Sequence, residues 1–240
     1  NINEQCGSEH PERLQKAVKA AGAELGLAFD GDGDRMIAVD EKGAVLTGDQ
    51  VLLACAKALQ DQGRLPHDAL VGTVMSNMGL RVACRRYGLR YFDAPVGDRN
   101  VLEVMLEKGA AIGGEGSGHT IFLQHHSTGD GILSGVQLIA AMLGSRRPLS
   151  ELGALMERYP QTLLNIPVRD KPRIDKLPSV AAAVRQVEEA LGEDGRVLVR
   201  YSGTQDVCRV MVEGPDKGTT EQHASRIADA VQAALGVSAQ

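Results

Sequence analysis

Tryptophan is absent from the 240 residues, and aromatic side chains of all kinds make up only 3%. The cores must therefore be built from Ala, Val, Leu, Ile and Met. Cysteine is sparse: Cys6, Cys55, Cys84 and Cys208 are scattered with no CxxC pair. That predicts small buried or free thiols in a reducing, cytoplasmic compartment rather than a disulfide framework. No apolar run approaches the roughly 18 residues of a membrane span. The opening Asn1-Ile2-Asn3 is not a signal peptide and lacks an initiator methionine, so the chain reads as part of a longer protein. Basic excess is missing too. A net charge of -5 and a pI near 5.7 exclude a general nucleic-acid surface, so an anionic ligand needs locally concentrated positive charge.

The remaining composition, 43% hydrophobic and 24% charged, is that of a globular protein of about two domains. Apolar spacing predicts helices near 11–21, 49–60, 79–87, 99–107 and 131–143. Strands are predicted near 25–29, 36–39, 69–74, 89–92, 110–113 and 120–123. Strands alternating with helices at this spacing indicate βαβ units and a mixed, mostly parallel sheet. The pattern changes at Ser145-Arg146-Arg147-Pro148. Beyond it, strands near 162–168, 196–200 and 207–213 and helices near 180–191 and 220–235 predict a small C-terminal α+β domain. No sequence repeat is evident.

The most informative stretch is Ala28-Phe29-Asp30-Gly31-Asp32-Gly33-Asp34-Arg35. Three carboxylates alternate with glycines, and such crowding is costly unless a cation neutralises it. Glycines let the backbone fold tightly enough for Asp30, Asp32 and Asp34 to converge on one ion. Arg35 adds a fixed positive charge, and together these residues suggest a divalent metal used on a phosphate. Two other readings are open. One is a solvated acidic turn. The other is an EF-hand calcium loop, which the acids and Glu41 fit by spacing, but Arg35 stands where that loop needs glycine. The β-branched residues that follow favour a strand over an exiting helix.

Two more loops carry chemistry. In Gly113-Gly114-Glu115-Gly116-Ser117-Gly118-His119, an acceptor, a hydroxyl and an imidazole lie within one turn. These groups can hold sugar hydroxyls and move a proton, with His119 the candidate for the proton. The pattern is not GxGxxG, so no dinucleotide site is indicated, and a plain connection between strands is the alternative. Arg200-Tyr201-Ser202-Gly203-Thr204, with Arg209 following, reads either as an oxyanion cradle or as an ordinary hairpin. Val96-Gly97-Asp98-Arg99 puts an acid and a base at a helix start, where Asp98 reads either as an N-cap or as a catalytic group. His125-His126 suits a surface turn, and His10, His67 and His223 read as structural or exposed.

Taken in order, these segments resemble the α-D-phosphohexomutase superfamily, and within it the bacterial phosphoglucosamine mutase family. The resemblance rests on FDGDGDR (29–35), VMSNMGL (74–80), VGDR (96–99), GEGSGH (114–119) and RYSGT…RVMVEG (200–214), and covers nearly the whole chain. It implies residues 1–41 as the end of domain two with the metal loop, 42–148 as domain three with the sugar loop, and 149–240 as domain four with the phosphate loop. It also implies a first domain bearing a catalytic phosphoserine and a homodimer contact. No Ser-His-Asn-Pro type segment occurs here, so both are expected to lie in a missing N-terminal part.

The chemistry the resemblance implies is Mg²⁺-dependent interconversion of glucosamine 6-phosphate and glucosamine 1-phosphate through a bisphosphorylated sugar. This would feed amino-sugar and cell-wall precursor synthesis. Asp30, Asp32 and Asp34 would hold Mg²⁺, with Arg35 balancing charge. Glu115 and Ser117 would hold the sugar, and Arg200, Ser202, Gly203, Thr204 and Arg209 would grip the phosphate not being transferred. A glucose or glucosamine bisphosphate is the expected activator, with no nucleic-acid or membrane partner. Two departures stand out: Gln205-Asp206 where the family has Glu-Pro, and Asn100 where it has Tyr. A mutase acting on mannose or glucose phosphates, or an inactive phosphosugar-binding module, is the alternative.

Overall fold

The computed structural model describes residues 4–203 and 205–236. The chain divides into two compact units, 1–157 and 158–240.

The first unit begins with α1 (Glu12–Ala21), β1 (Leu25–Phe29), β2 (Met36–Asp40) and β3 (Val45–Leu46). These strands form an antiparallel sheet in the order β1-β2-β3, with Phe29 opposite Met36 at the mouth of the acidic loop. Helix α2 (Gly48–Asp61) follows, beginning one residue before the expected start. Thr47 accepts a hydrogen bond from the Gln50 N–H, and Gln50 reaches back to the Thr47 N–H, a reciprocal cap.

Next come β4 (Ala69–Thr73), α3 (Met78–Tyr87), β5 (Arg90–Ala94), α4 (Asp98–Lys108), β6 (Ile112–Gly114), β7 (Thr120–Phe122) and α5 (Gly131–Ser145). Their strands make a mixed sheet ordered β5-β4-β6-β7, parallel except for the β6–β7 pair. Strand β4 is buried along its whole length. Leu70 joins the core shared with α2 and α5, while Ala69 and Val71 join Val101 and Met105 of α4. Burial on both faces is what a parallel strand covered by helices requires. The parallel pairing is confined to this sheet; the sheet carrying the acidic loop is antiparallel. The short helix α6 (Leu149–Gly153) follows the predicted break and belongs to the first unit, packing Leu149 and Leu152 into the same core as α2.

The structure contains a repetition that the sequence conceals. The order helix, strand, glycine-rich loop, antiparallel strand occurs as α1–β1–loop–β2 and again as α4–β6–loop–β7. The acidic loop and the Glu115 loop therefore occupy equivalent positions in two similar hairpins.

The second unit contains β8 (Gln161–Pro167), α7 (Pro178–Leu191), β9 (Arg196–Tyr201), β10 (Val207–Glu213) and α8 (Lys217–Leu235). The sheet is antiparallel in the order β8-β10-β9. Cys208, Val210 and Val212 of β10 alternate onto the face covered by Val180, Val187, Ala224, Ile227 and Val231 of the two helices.

None of the four cysteines forms a disulfide. Burial pushes the Cys55 and Cys84 thiols up to about 12 and the Cys208 thiol up to about 11. The thiolate is the reactive form. At pH 8 these three are therefore expected to resist a thiol-specific reagent in the native chain and to react on unfolding. Fast native labelling of more than one cysteine contradicts this packing.

Candidate active site

Strand β1 delivers the acidic loop from its C-terminal end. Gly33 takes φ +76°, a left-handed turn that glycine adopts without strain. Single ligand atoms of Asp30, Asp32 and Asp34 lie within 4.8 Å of one another. Asp30 Oδ1 accepts the Arg35 backbone N–H at 3.1 Å, and the buried Arg35 Nε lies 3.8 Å from Asp30 Oδ2.

The two inner acids titrate in opposite directions. Burial alone would raise Asp30, but the Arg35 N–H, a hydrogen bond with Asp34 and the Arg35 guanidinium outweigh it and hold the carboxyl low. Asp34 is raised, first by burial and then by its hydrogen bond with Asp30, against the opposing pull of His119. Two carboxylates sharing a site in this way are under a repulsion that a cation relieves. An all-oxygen donor set fits a hard divalent ion such as Mg²⁺.

The Glu115 loop is locked to the acidic loop. His119 is buried, with Nδ1 3.0 Å from Asp34 Oδ2, while Nε2 accepts the Gly129 N–H at 3.1 Å. The Gly129 bond leaves the ring proton on Nδ1, where it can donate to Asp34. Arg35 and His119 also form a β-bridge, Met36 N–H donates to Gly118 O at 3.1 Å, and Gly131 N–H donates to Gly33 O at 2.8 Å. Gly118 has φ +99°, and a Cβ there would fall 2.3 Å from the Met36 carbonyl oxygen, so only glycine admits this approach.

Glu115 is half-buried and Ser117 exposed. One Glu115 oxygen accepts the Gly97 N–H at 2.9 Å, and the other accepts the Ser117 hydroxyl at 3.3 Å. The α4 N-cap is Gly97, with Asp98 the first helical residue rather than the cap. Beneath the loop, Gly48 N–H donates to Gly116 O at 3.0 Å, and a Cβ on Gly48 would lie 2.2 Å from Glu115 O. Buried Asp49 accepts the Asn77 N–H at 2.8 Å and lies against Gly116. Sequence reasoning missed Gly48, Asp49, Gly129 and Gly131. Their roles come from tertiary packing, and only the Thr47–Gln50 cap beside them leaves a readable signal.

In the second unit, Arg200 of β9 and Arg209 of β10 are direct cross-strand partners. Like charges placed opposite each other destabilise a sheet unless an anion joins them. Arg209 Nε is buried without a hydrogen-bond partner. Ser202 is buried, its N–H donating to Val207 O at 3.0 Å and its Oγ accepting the Gln205 N–H at 3.3 Å. Gly203 is exposed at the tip. Thr204, expected to join this cradle, lies outside the described residues. The loop also recruits Lys171, which the sequence reading did not select: Lys171 Nζ lies 3.0 Å from Asp206 Oδ1 and donates to Ser202 O at 3.2 Å.

Comparison with known proteins bears on the same loops. Three family models match in order: phosphoglucomutase/phosphomannomutase alpha/beta/alpha domain II at residues 3–43, alpha/beta/alpha domain III at 47–159 and the C-terminal domain at 163–230. The chain belongs to the phosphoglucomutase/phosphomannomutase family.

Among curated relatives, the phosphoglucosamine mutase of Syntrophobacter fumaroxidans is 61% identical over 236 residues, covering 98% of this chain and 53% of that protein. The Bacillus subtilis phosphoglucosamine mutase is 46% identical over 237 residues, covering 99% and 53%. The chain thus spans about half the length of the curated relatives it matches. Among solved structures, Aspergillus fumigatus N-acetylphosphoglucosamine mutase in complex with GlcNAc-6P and magnesium shares the fold with TM-score 0.73 at 20% identity, covering 95% of this chain and 57% of that one. A family protein from Burkholderia thailandensis matches with TM-score 0.72 at 23% identity, covering 96% and 53%. Among the described residues no helix is long and apolar enough to cross a membrane.

Proposed function

We propose that this chain carries the metal, sugar and phosphate loops of a phosphoglucosamine mutase, which interconverts glucosamine 6-phosphate and glucosamine 1-phosphate. The observation that carries the reading is the contact between Asp34 and His119, which ties a convergent carboxylate triad to a loop presenting Glu115 and Ser117. Relatives named phosphoglucosamine mutase at 46–61% identity support the choice of sugar.

In this reading Asp30, Asp32 and Asp34 hold Mg²⁺, which when bound supplies charge neutralisation at the transferring phosphoryl group. Arg35 holds Asp30 in place and adds positive charge. Glu115 accepts from sugar hydroxyls through the carboxylate whose geometry Gly97 and Ser117 set. A carboxylate and a hydroxyl suit a sugar that must bind in two orientations, because neither depends on a single hydroxyl configuration. Arg200, Arg209 and the Ser202–Gly203 backbone hold the distal phosphate. Positioning and electrostatics supply most of the rate in such transfers. Both ring nitrogens of His119 are engaged, so we read it as a brace between the loops; a proton-shuttle role would require breaking one of these bonds.

The phosphoryl donor is assigned to a phosphoserine in the portion of the longer relatives that this chain does not match. Ser76 is completely buried and its Oγ accepts the Thr73 N–H, so it offers no exposed nucleophile. The 240-residue chain is therefore expected to bind glucosamine 6-phosphate in a calorimetric titration but not to turn it over with Mg²⁺ and glucose 1,6-bisphosphate present. Absence of binding supports neither a mutase nor a phosphosugar-binding module. Turnover by the chain alone would move the nucleophile into this sequence, with exposed Ser117 the first candidate.

A further inference from the structure

The negative charge of Asp206 beside a loop meant for phosphate is paradoxical, and its partner explains it. The segment leaving β8 runs alongside the loop, fixed where Val168 N–H donates to Asp206 O at 3.0 Å. This brings Lys171 to the loop, its ammonium between Asp206 Oδ1 at 3.0 Å and Ser202 O at 3.2 Å. Lys171 is about one-third exposed and Asp206 is 86% exposed.

We infer that Lys171 is a further phosphate-binding residue of this loop, and that Asp206 is a stand-in anion that occupies it until a phosphate monoester arrives. The inference rests on the reading of the Arg200–Arg209 loop as a phosphate site. A pair this exposed is screened by water and weak. A phosphate dianion offers Lys171 two charges and more acceptor oxygens, so the exchange is favourable. Ser202 O keeps the ammonium in place during it. Lys171, Arg200 and Arg209 then balance the phosphate and Asp206 together, three positive charges against three negative.

The test is titration of inorganic phosphate at pH 8 into the 240-residue chain at low ionic strength, read by amide shifts of residues 200–209. Asp206→Asn is expected to tighten binding by up to about fivefold, the scale of an exposed ion pair. Lys171→Gln is expected to weaken it about tenfold, as loss of a charge-assisted contact does. Lys171→Arg, which keeps the charge, is expected to retain most of the affinity. The gain from Asp206→Asn should shrink when Lys171 is already Gln. Unchanged or weaker binding in Asp206→Asn overturns the stand-in role, and so does an undiminished gain in the double variant. Normal binding in Lys171→Gln overturns the phosphate contact, and equal loss in Lys171→Gln and Lys171→Arg assigns the lysine to loop structure instead. Arg200→Ala is the control for the underlying reading: if it too leaves binding unchanged, the phosphate site itself is wrong.

Discussion

Mg²⁺ is expected to shift the amide resonances of residues 30–35 in the wild-type chain, and Asp32→Ala is expected to remove that response. Asp32 is the clean probe because it is the exposed member of the triad. Its replacement leaves the Asp30–Arg35 and Asp34–His119 bonds in place. Losing one of three carboxylates should weaken binding at least tenfold, since even outer partners of a metal site are worth about 10- to 100-fold. By the same rule His119→Ala, which releases Asp34 but keeps all three carboxylates, should cost about 10- to 100-fold in Mg²⁺ affinity. Undiminished Mg²⁺ shifts in Asp32→Ala assign the response to another site. If the wild-type chain shows no Mg²⁺ response, the loop is only a solvated acidic turn.

Arg200→Ala should weaken glucosamine 6-phosphate binding by roughly tenfold to a hundredfold, the equivalent of about 1.5–3 kcal/mol for a charge-assisted contact. Removing Arg200 also relieves its like-charged cross-strand partner Arg209, so the sheet itself is not expected to lose stability. Lower affinity at unchanged or higher stability is therefore the signature of an anion cradle. Arg64→Ala, at an exposed arginine in the other unit, should have no measurable effect. Isothermal titration and a denaturant series on the same proteins give both quantities. Equal losses from the two substitutions would reduce the cradle to general positive charge.

The strand and helix order was legible because apolar spacing and turn residues agree along this chain, but the starts of two strands moved for one shared reason. Leu89 and Ala110 read as first strand residues, yet each closes the helix before it. Gly88 and Gly109 turn left-handed, and the Leu89 and Ala110 N–H groups reach back to Cys84 O and Met105 O. Strands β5 and β6 therefore begin later than apolar character suggests. Strand β3 has two residues and α6 has five, too short for a periodic signal. The antiparallel sheet around the acidic loop was hidden because a short apolar strand does not announce the direction of its neighbour.

The candidate site divides in the same way. Asp30, Asp32, Asp34, Glu115, Ser117, Arg200 and Arg209 could be selected because their chemistry is concentrated within single loops. The link from His119 to Asp34 spans 85 positions and the pair of Lys171 with Asp206 joins two separate segments, so both needed the fold. Lys171 offsets the negative charge that Asp206 places in the Arg200–Arg209 loop.

If these loops work as proposed, supplying the portion that carries the phosphoserine should produce mutase activity. The direct measurement joins the unmatched amino-terminal portion of the Bacillus subtilis relative to this chain and follows conversion of glucosamine 6-phosphate to glucosamine 1-phosphate by ³¹P NMR, with Mg²⁺ and glucose 1,6-bisphosphate present. The expected result is turnover by the joined protein, loss of turnover on Asp32→Ala, and none from the 240-residue chain alone. A folded joined protein that binds glucosamine 6-phosphate yet converts none of it, while the intact relative does so under the same conditions, would contradict it.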